Sequence, residues 1–105
     1  VAEYRKFARD FTAEAYDPSS WADLFREAGA RYVIITAKHH EGFSLYDSAV
    51  SDWDVAGSSP AGDDLLAPLA DAVRERGLKF GLYFSQAQDW VHRGGAFYGR
   101  DAGWD

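Results

Sequence analysis

Two seven-residue stretches, "EAGARYV" starting at Glu27 and "ERGLKFG" starting at Glu75, carry an acid, a glycine, a basic residue and an aromatic in the same order, 48 positions apart. Each lies between a helical pattern and an apolar run, so the chain repeats a helix–glycine–strand unit. Strands separated by a helix in this way pair in parallel through a crossover, which is right-handed almost without exception. The sequence therefore predicts an α/β fold, with parallel strands alternating with helices.

In the first unit Asp17 is placed to cap a helix whose first residue is Pro18, a position where the missing N–H is no loss. Trp21, Leu24, Phe25 and Ala28 recur at i, i+3, i+4 and i+7 and form the face expected to pack on the sheet, and Gly29 supplies the stop. The run from Tyr32 to Ala37 is apolar at both parities, which predicts a strand buried on both faces. In the second unit Asp63 or Asp64 is the cap, Leu65, Leu69 and Val73 with Leu66 and Ala70 make the stripe, and Gly77 is the stop. A strand is expected over 79–85, and Pro68 falls near the first turn of the helix, where it costs least.

No glycine-rich phosphate loop follows either strand, which leaves a (β/α)8 barrel favoured over a nucleotide-binding doubly wound sheet. Such a barrel takes roughly 200–250 residues, and these 105 residues contain two clear strands. Residues 1–105 are thus expected to be the N-terminal part of a TIM-like barrel. Eleven Lys and Arg face 17 Asp and Glu, for a net charge of −6, and no basic stripe tracks phosphates, so nucleic acid is excluded as a partner. No apolar run approaches the ~20 residues of a membrane span. The absence of cysteine removes disulfides and thiolate metal sites and leaves the compartment undecided. Oligomeric state is equally open.

Ligand sites of parallel α/β folds lie at the C-terminal ends of the strands. In "TAKHHEGFSLYDS", His39 and His40 stand just past the first such end. Neighbours on a regular strand point to opposite faces, so an adjacent pair is a poor chelate for one metal ion. At the turn formed by Glu41 and Gly42 both rings can instead face the mouth of the fold and offer nitrogens to the hydroxyls of a polar ligand. Phe43, Trp53 and Trp90 lie near loops that could supply an apolar surface for a sugar. The residues alone leave a plainer alternative open, in which the histidines bond nearby backbone and Tyr83, near the end of the second strand, is a core residue.

The segment "WADLFREAGARYVIITAKHHEGFSLYDS", followed by "RGLKFGLYFS" and then "DW", resembles the family 29 glycoside hydrolases, the α-L-fucosidases. The likeness runs from about Phe11 to Trp90 and is most specific in the block from Lys38 to Phe43. It implies a partial catalytic barrel domain of a retaining enzyme that removes terminal α-linked L-fucose from a fucosylated oligosaccharide or glycoconjugate. By that likeness His39, His40 and Tyr83 bind fucose. Neither a metal nor another cofactor is expected, and the parent could be secreted, periplasmic or lysosomal. The family usually has Asp where this chain has Glu41, often Cys at Ser44, and a basic residue at Asp63; Glu41 keeps the charge. No catalytic residue is assigned within the segment: the family nucleophile is an Asp on a later barrel strand, and Asp105 follows no strand pattern. Two other readings are weighed. One is a carbohydrate-binding module without catalysis; the other is a metal-dependent α/β hydrolase using His39, His40 and Glu41.

Overall fold

The structure is a computed structural model and describes residues 1–97 and 100–101. Asp105 lies outside the described residues. A short helix α1 (Ala2–Arg5) and a 3-10 turn (Lys6–Asp10) precede the first repeated unit, α2 (Pro18–Glu27) and β1 (Tyr32–Lys38). A long connection carrying a one-turn helix α3 (Val55–Ser58) leads to the second unit, α4 (Leu66–Glu75) and β2 (Lys79–Phe84). A two-residue ladder of β3 (Ala96–Phe97) with β4 (Arg100–Asp101) follows. Among the described residues, no helix is long and apolar enough to cross a membrane.

The repeat read from the sequence is a repeat of capping chemistry. The Asp17 carboxylate accepts from the backbone N–H groups of Ser19 and Ser20, at 3.0 and 3.3 Å, and Pro18 opens the helix. Of the two candidate caps for α4 the structure uses Asp64, whose Oδ1 accepts from Leu66 and Ala67 N–H at 2.8 and 3.0 Å. Both helices then close with the same pair of reversed bonds. Gly29 N–H donates to Arg26 O and Ala30 N–H to Phe25 O, while Gly77 N–H donates to Arg74 O and Leu78 N–H to Val73 O. Each closing glycine has a left-handed backbone, φ +81° and +75°, which side chains disfavour.

The strands β1 and β2 pair in parallel, with Tyr32 opposite Lys79, Ile34 opposite Gly81 and Thr36 opposite Tyr83. Both helices cover one face of this pair. Ala22 from α2, Leu69, Ala72 and Val73 from α4, and Leu78 form the buried cluster, with Phe25, Val33, Ile35 and Phe80 packed around it. Arg76 Nε reaches Asp23 Oδ1 at 2.6 Å and ties the two helices together at their outer edge. That hydrogen bond also holds the Asp23 carboxyl below its ordinary pKa.

Two expectations need correction. Among the described residues the first strand is covered on one face only: Tyr32 and Ile34 are 65% and 61% exposed, because the helices meet the Val33–Ile35 face. On α2 the residue that enters the core is Ala22, fully buried, whereas Leu24 is 62% exposed and Trp21 packs edge-on against Tyr16 at 5.0 Å. A small side chain lets α2 approach α4 closely, and this rotates the larger residues toward the rim.

Stability should follow burial and not sequence periodicity. Leu69→Ala, at a fully buried site, should cost about 2–5 kcal/mol in the protein. Leu24→Ala should stay within about 0.5 kcal/mol, as exposed substitutions do, with Phe25→Ala between them. Urea unfolding of the three variants checks the order.

Candidate functional site

Because β1 and β2 run in the same direction, their C-terminal ends lie side by side and the residues that follow them meet. After Lys38 the chain turns sharply, with Gly42 N–H donating to His39 O at 3.1 Å. This turn removes the strand alternation that would have separated the two imidazoles. The rings of His39 and His40 stack, with centroids 3.8 Å apart and planes inclined by 34°. Tyr83, near the end of β2, places its ring 5.8 Å from that of His39. His39 and Tyr83 are both exposed, and His40 is half-buried.

Gly42 is required at this turn for two reasons. Its φ is +91°, and a Cβ there would stand 2.4 Å from Val91 Cγ2 and 3.3 Å from Asp89 Oδ1. The histidine turn is therefore pressed directly against the loop that follows β2.

That loop is fastened by four contacts. Ser85 N–H donates to Lys38 O at 3.0 Å and Trp90 N–H donates to His40 O at 2.8 Å. The Ser85 hydroxyl lies 2.7 Å from His40 Nδ1. Beneath the histidines, Lys38 Nζ meets Asp89 Oδ2 at 2.5 Å, with both side chains almost wholly buried. Lys38 also lies over the Phe84 ring at 4.6 Å. Asp89 further accepts from Val91 N–H, His92 N–H and His92 Nδ1, at 2.9, 3.0 and 2.8 Å. Burial alone would raise the Asp89 carboxyl, but the bond from Lys38, followed by those from Val91 and His92, outweighs it and holds the pKa below the usual carboxylate range. This carboxylate is a structural anion with its lone pairs already engaged.

The aromatic residues divide differently from the sequence expectation. Trp53 is buried against Phe43 and Tyr4, at 5.4 and 6.2 Å, with Arg5 over its ring, so it is packing and offers no open face. Trp90 meets Tyr4 edge-on at 5.5 Å. The exposed aromatic beside the histidines is Tyr83. Glu41 Oε2 stands 3.9 Å from His39 Nδ1, beyond hydrogen-bonding reach. Among the described residues no group of three or more His, Asp or Glu side chains is placed to hold a metal ion. An apolar cavity of about 440 Å³, lined by Phe11, Tyr16, Trp21, Ile35, Leu45 and Leu65, includes none of the site residues.

A family profile described as Alpha-L-fucosidase matches residues 1–101. The chain belongs to the α-L-fucosidase family. Its similarity to the tissue alpha-L-fucosidase of Rattus norvegicus is 49% identity over 90 residues, covering 85% of this chain and 19% of that protein. The human tissue alpha-L-fucosidase is 44% identical over 90 residues, with the same coverage. Among solved structures, the Thermotoga maritima alpha-fucosidase in complex with fucose is 53% identical, with a TM-score of 0.80 over 83% of this chain and 20% of that one. The Lactobacillus casei alpha-L-fucosidase in complex with its fucose product is 38% identical, with a TM-score of 0.87 over 90% and 29%. The chain thus spans about a fifth of the length of the curated fucosidases that it matches.

The ionic anchor under the histidine turn sets a pH-dependent stability. The depressed Asp89 pKa contributes stability above the unfolded value of about 3.9, which is lost as pH falls through the lower folded value. Asp89→Asn keeps the acceptor for the loop N–H groups but leaves Lys38 buried without a counter-charge, which typically costs about 3–5 kcal/mol. Urea unfolding at pH 7 should show the deficit, and it should narrow below about pH 4. A deficit independent of pH would mean that the charge on Asp89 is not what matters.

Proposed function

We propose that this chain is the N-terminal part of the (β/α)8 catalytic barrel of a retaining α-L-fucosidase, and that His39, His40 and Tyr83 bind the terminal α-linked L-fucose of a fucosylated glycan. The observation that carries the reading is the convergence of these three side chains at the adjacent C-terminal ends of two parallel strands, where barrels of this class hold substrate. Support comes also from the Thermotoga maritima relative, whose structure contains fucose. Two imidazoles supply ring nitrogens for sugar hydroxyls, and the exposed Tyr83 ring offers a face to the apolar side of the pyranose.

Retaining hydrolysis uses two carboxyl groups about 5–5.5 Å apart, one ionised and one protonated. Glu41, Asp47 and Asp89 follow the two strands in sequence, and the family resemblance gives none of them this task. Asp89 is locked to Lys38 and three further donors, so it is not free to attack or to protonate a leaving group. The resemblance implies that the nucleophile is an Asp on a later strand of the parent barrel.

In the parent enzyme His39→Ala and His40→Ala should each lower turnover of an aryl α-L-fucoside without unfolding the barrel. Each lost bond should cost about 0.5–1.5 kcal/mol in binding, and more where it tightens in the transition state. Unaltered kinetics in both variants would sink the assignment. The 105-residue chain by itself should show no turnover, whereas a version extended through the remaining barrel repeats should. Comparable turnover from both would place the catalytic pair within this segment and make Glu41 the first residue to mutate.

A further inference from the structure

The hydroxyl of Ser85 touches two groups. It lies 2.9 Å from the carbonyl oxygen of Gln88 and 2.7 Å from Nδ1 of His40. A carbonyl oxygen only accepts, and a serine hydroxyl carries a single proton. Ser85 is 4% exposed, so bulk water does not compete for that proton. If it went to His40, lone pairs of Ser85 and Gln88 would face each other at 2.9 Å in a buried place, an unmade hydrogen bond of the costly kind. The proton therefore goes to Gln88 O, and His40 Nδ1 must be the donor to Ser85. A neutral imidazole has one N–H, so its Nε2 is left bare as an acceptor.

We propose that Ser85 is a positioning residue that fixes His40 in the Nδ1–H tautomer, so that Nε2 accepts a hydrogen bond from one hydroxyl of the bound sugar. The proposal rests on the fucosidase reading for the identity of the sugar, but not for the state of the ring. Its parts are held by backbone: Ser85 N–H is fixed on Lys38 O, and Trp90 N–H on His40 O. Among the described residues the His39 ring has no equivalent hydrogen-bond partner, Glu41 being 3.9 Å away. The two stacked imidazoles are thus not interchangeable. The sugar hydroxyl that meets His40 must donate, which frees its own lone pairs for a second group. Replacing that hydroxyl by fluorine, which cannot donate, removes the bond as fully as replacing it by hydrogen.

The test uses the ligand-free parent enzyme labelled with 15N at histidine, observed by long-range 1H–15N correlation at pH 8. His40 should show a protonated Nδ1 and a bare Nε2. Ser85→Ala should shift the ring toward the Nε2–H form, and Ser85→Thr, which keeps the hydroxyl, should restore the original pattern. An Nε2–H ring in the unaltered enzyme overturns the proposal without recourse to any variant. So does a ring indifferent to Ser85→Ala, or one shifted equally by Ala and Thr. On an aryl α-L-fucoside, Ser85→Ala should lose roughly tenfold in kcat/KM, the loss of about one hydrogen bond, and Thr should recover most of it. An unaltered enzyme that turns over no fucoside would defeat the fucosidase reading, while the ring assignment is decided separately by the spectrum.

Discussion

Parallel pairing of Tyr32–Lys38 with Lys79–Phe84 is the interaction on which everything else in this chain depends. It joins residues nearly fifty positions apart, and because the strands share a direction it delivers both of their exits to one edge. A register shift between Thr36 and Lys38 and the sharp turn at Gly42 then bring the histidines against the Ser85–Trp90 loop. The helices serve this pairing. The capped start and glycine stop of α4 bound the crossover from β1 to β2, and the small Ala22 lets α2 settle against α4 while both cover the Val33–Ile35 face.

At that shared edge, a buried ion pair lies next to the rings of His39, His40 and Tyr83. Lys38 and Asp89 neutralise one another, and the remaining lone pairs of Asp89 fasten Val91 and His92. A buried ion pair is seldom a net gain over apolar packing. Its value here is geometric, since a carboxylate with four donors fixes the loop in one position, whereas a greasy contact would let it slide. The close approach of Gly42 to Val91 shows how little slack remains.

Much of this arrangement was legible in the sequence, and the division has a physical cause. Helix caps, glycine stops and strand cores are local events, so Asp17, Gly29, Gly77 and the run Tyr32–Ala37 announced themselves. The choice of Asp64 over Asp63, and of Ala22 over Leu24 as the core residue, depends on how two helices meet, which no single-helix periodicity contains. The apolar character of β1 suggested two covered faces, yet Tyr32 and Ile34 lie open on the face away from the helices. The histidine pair stood out by its placement at a strand end and Tyr83 through family likeness alone, and the structure brings the three rings together. Ser85 and Asp89 could not, because a serine or an aspartate in a loop carries no signal until its partners across the sheet are known.

The partners of the site are far apart along the chain, with His40 and Ser85 separated by 45 residues and Lys38 and Asp89 by 51. Closing such loops has an entropic cost that only the completed crossover offsets. The edge where the two strand exits meet therefore has no independent existence as a local motif. The amide protons of Ser85 and Trp90, which bridge the two exits, are accordingly tied to the cooperative opening of the whole unit and not to fraying of a surface loop. Slow exchange at these two amides would be a direct gauge of whether the edge is assembled, in ligand-free protein and without any assay of activity.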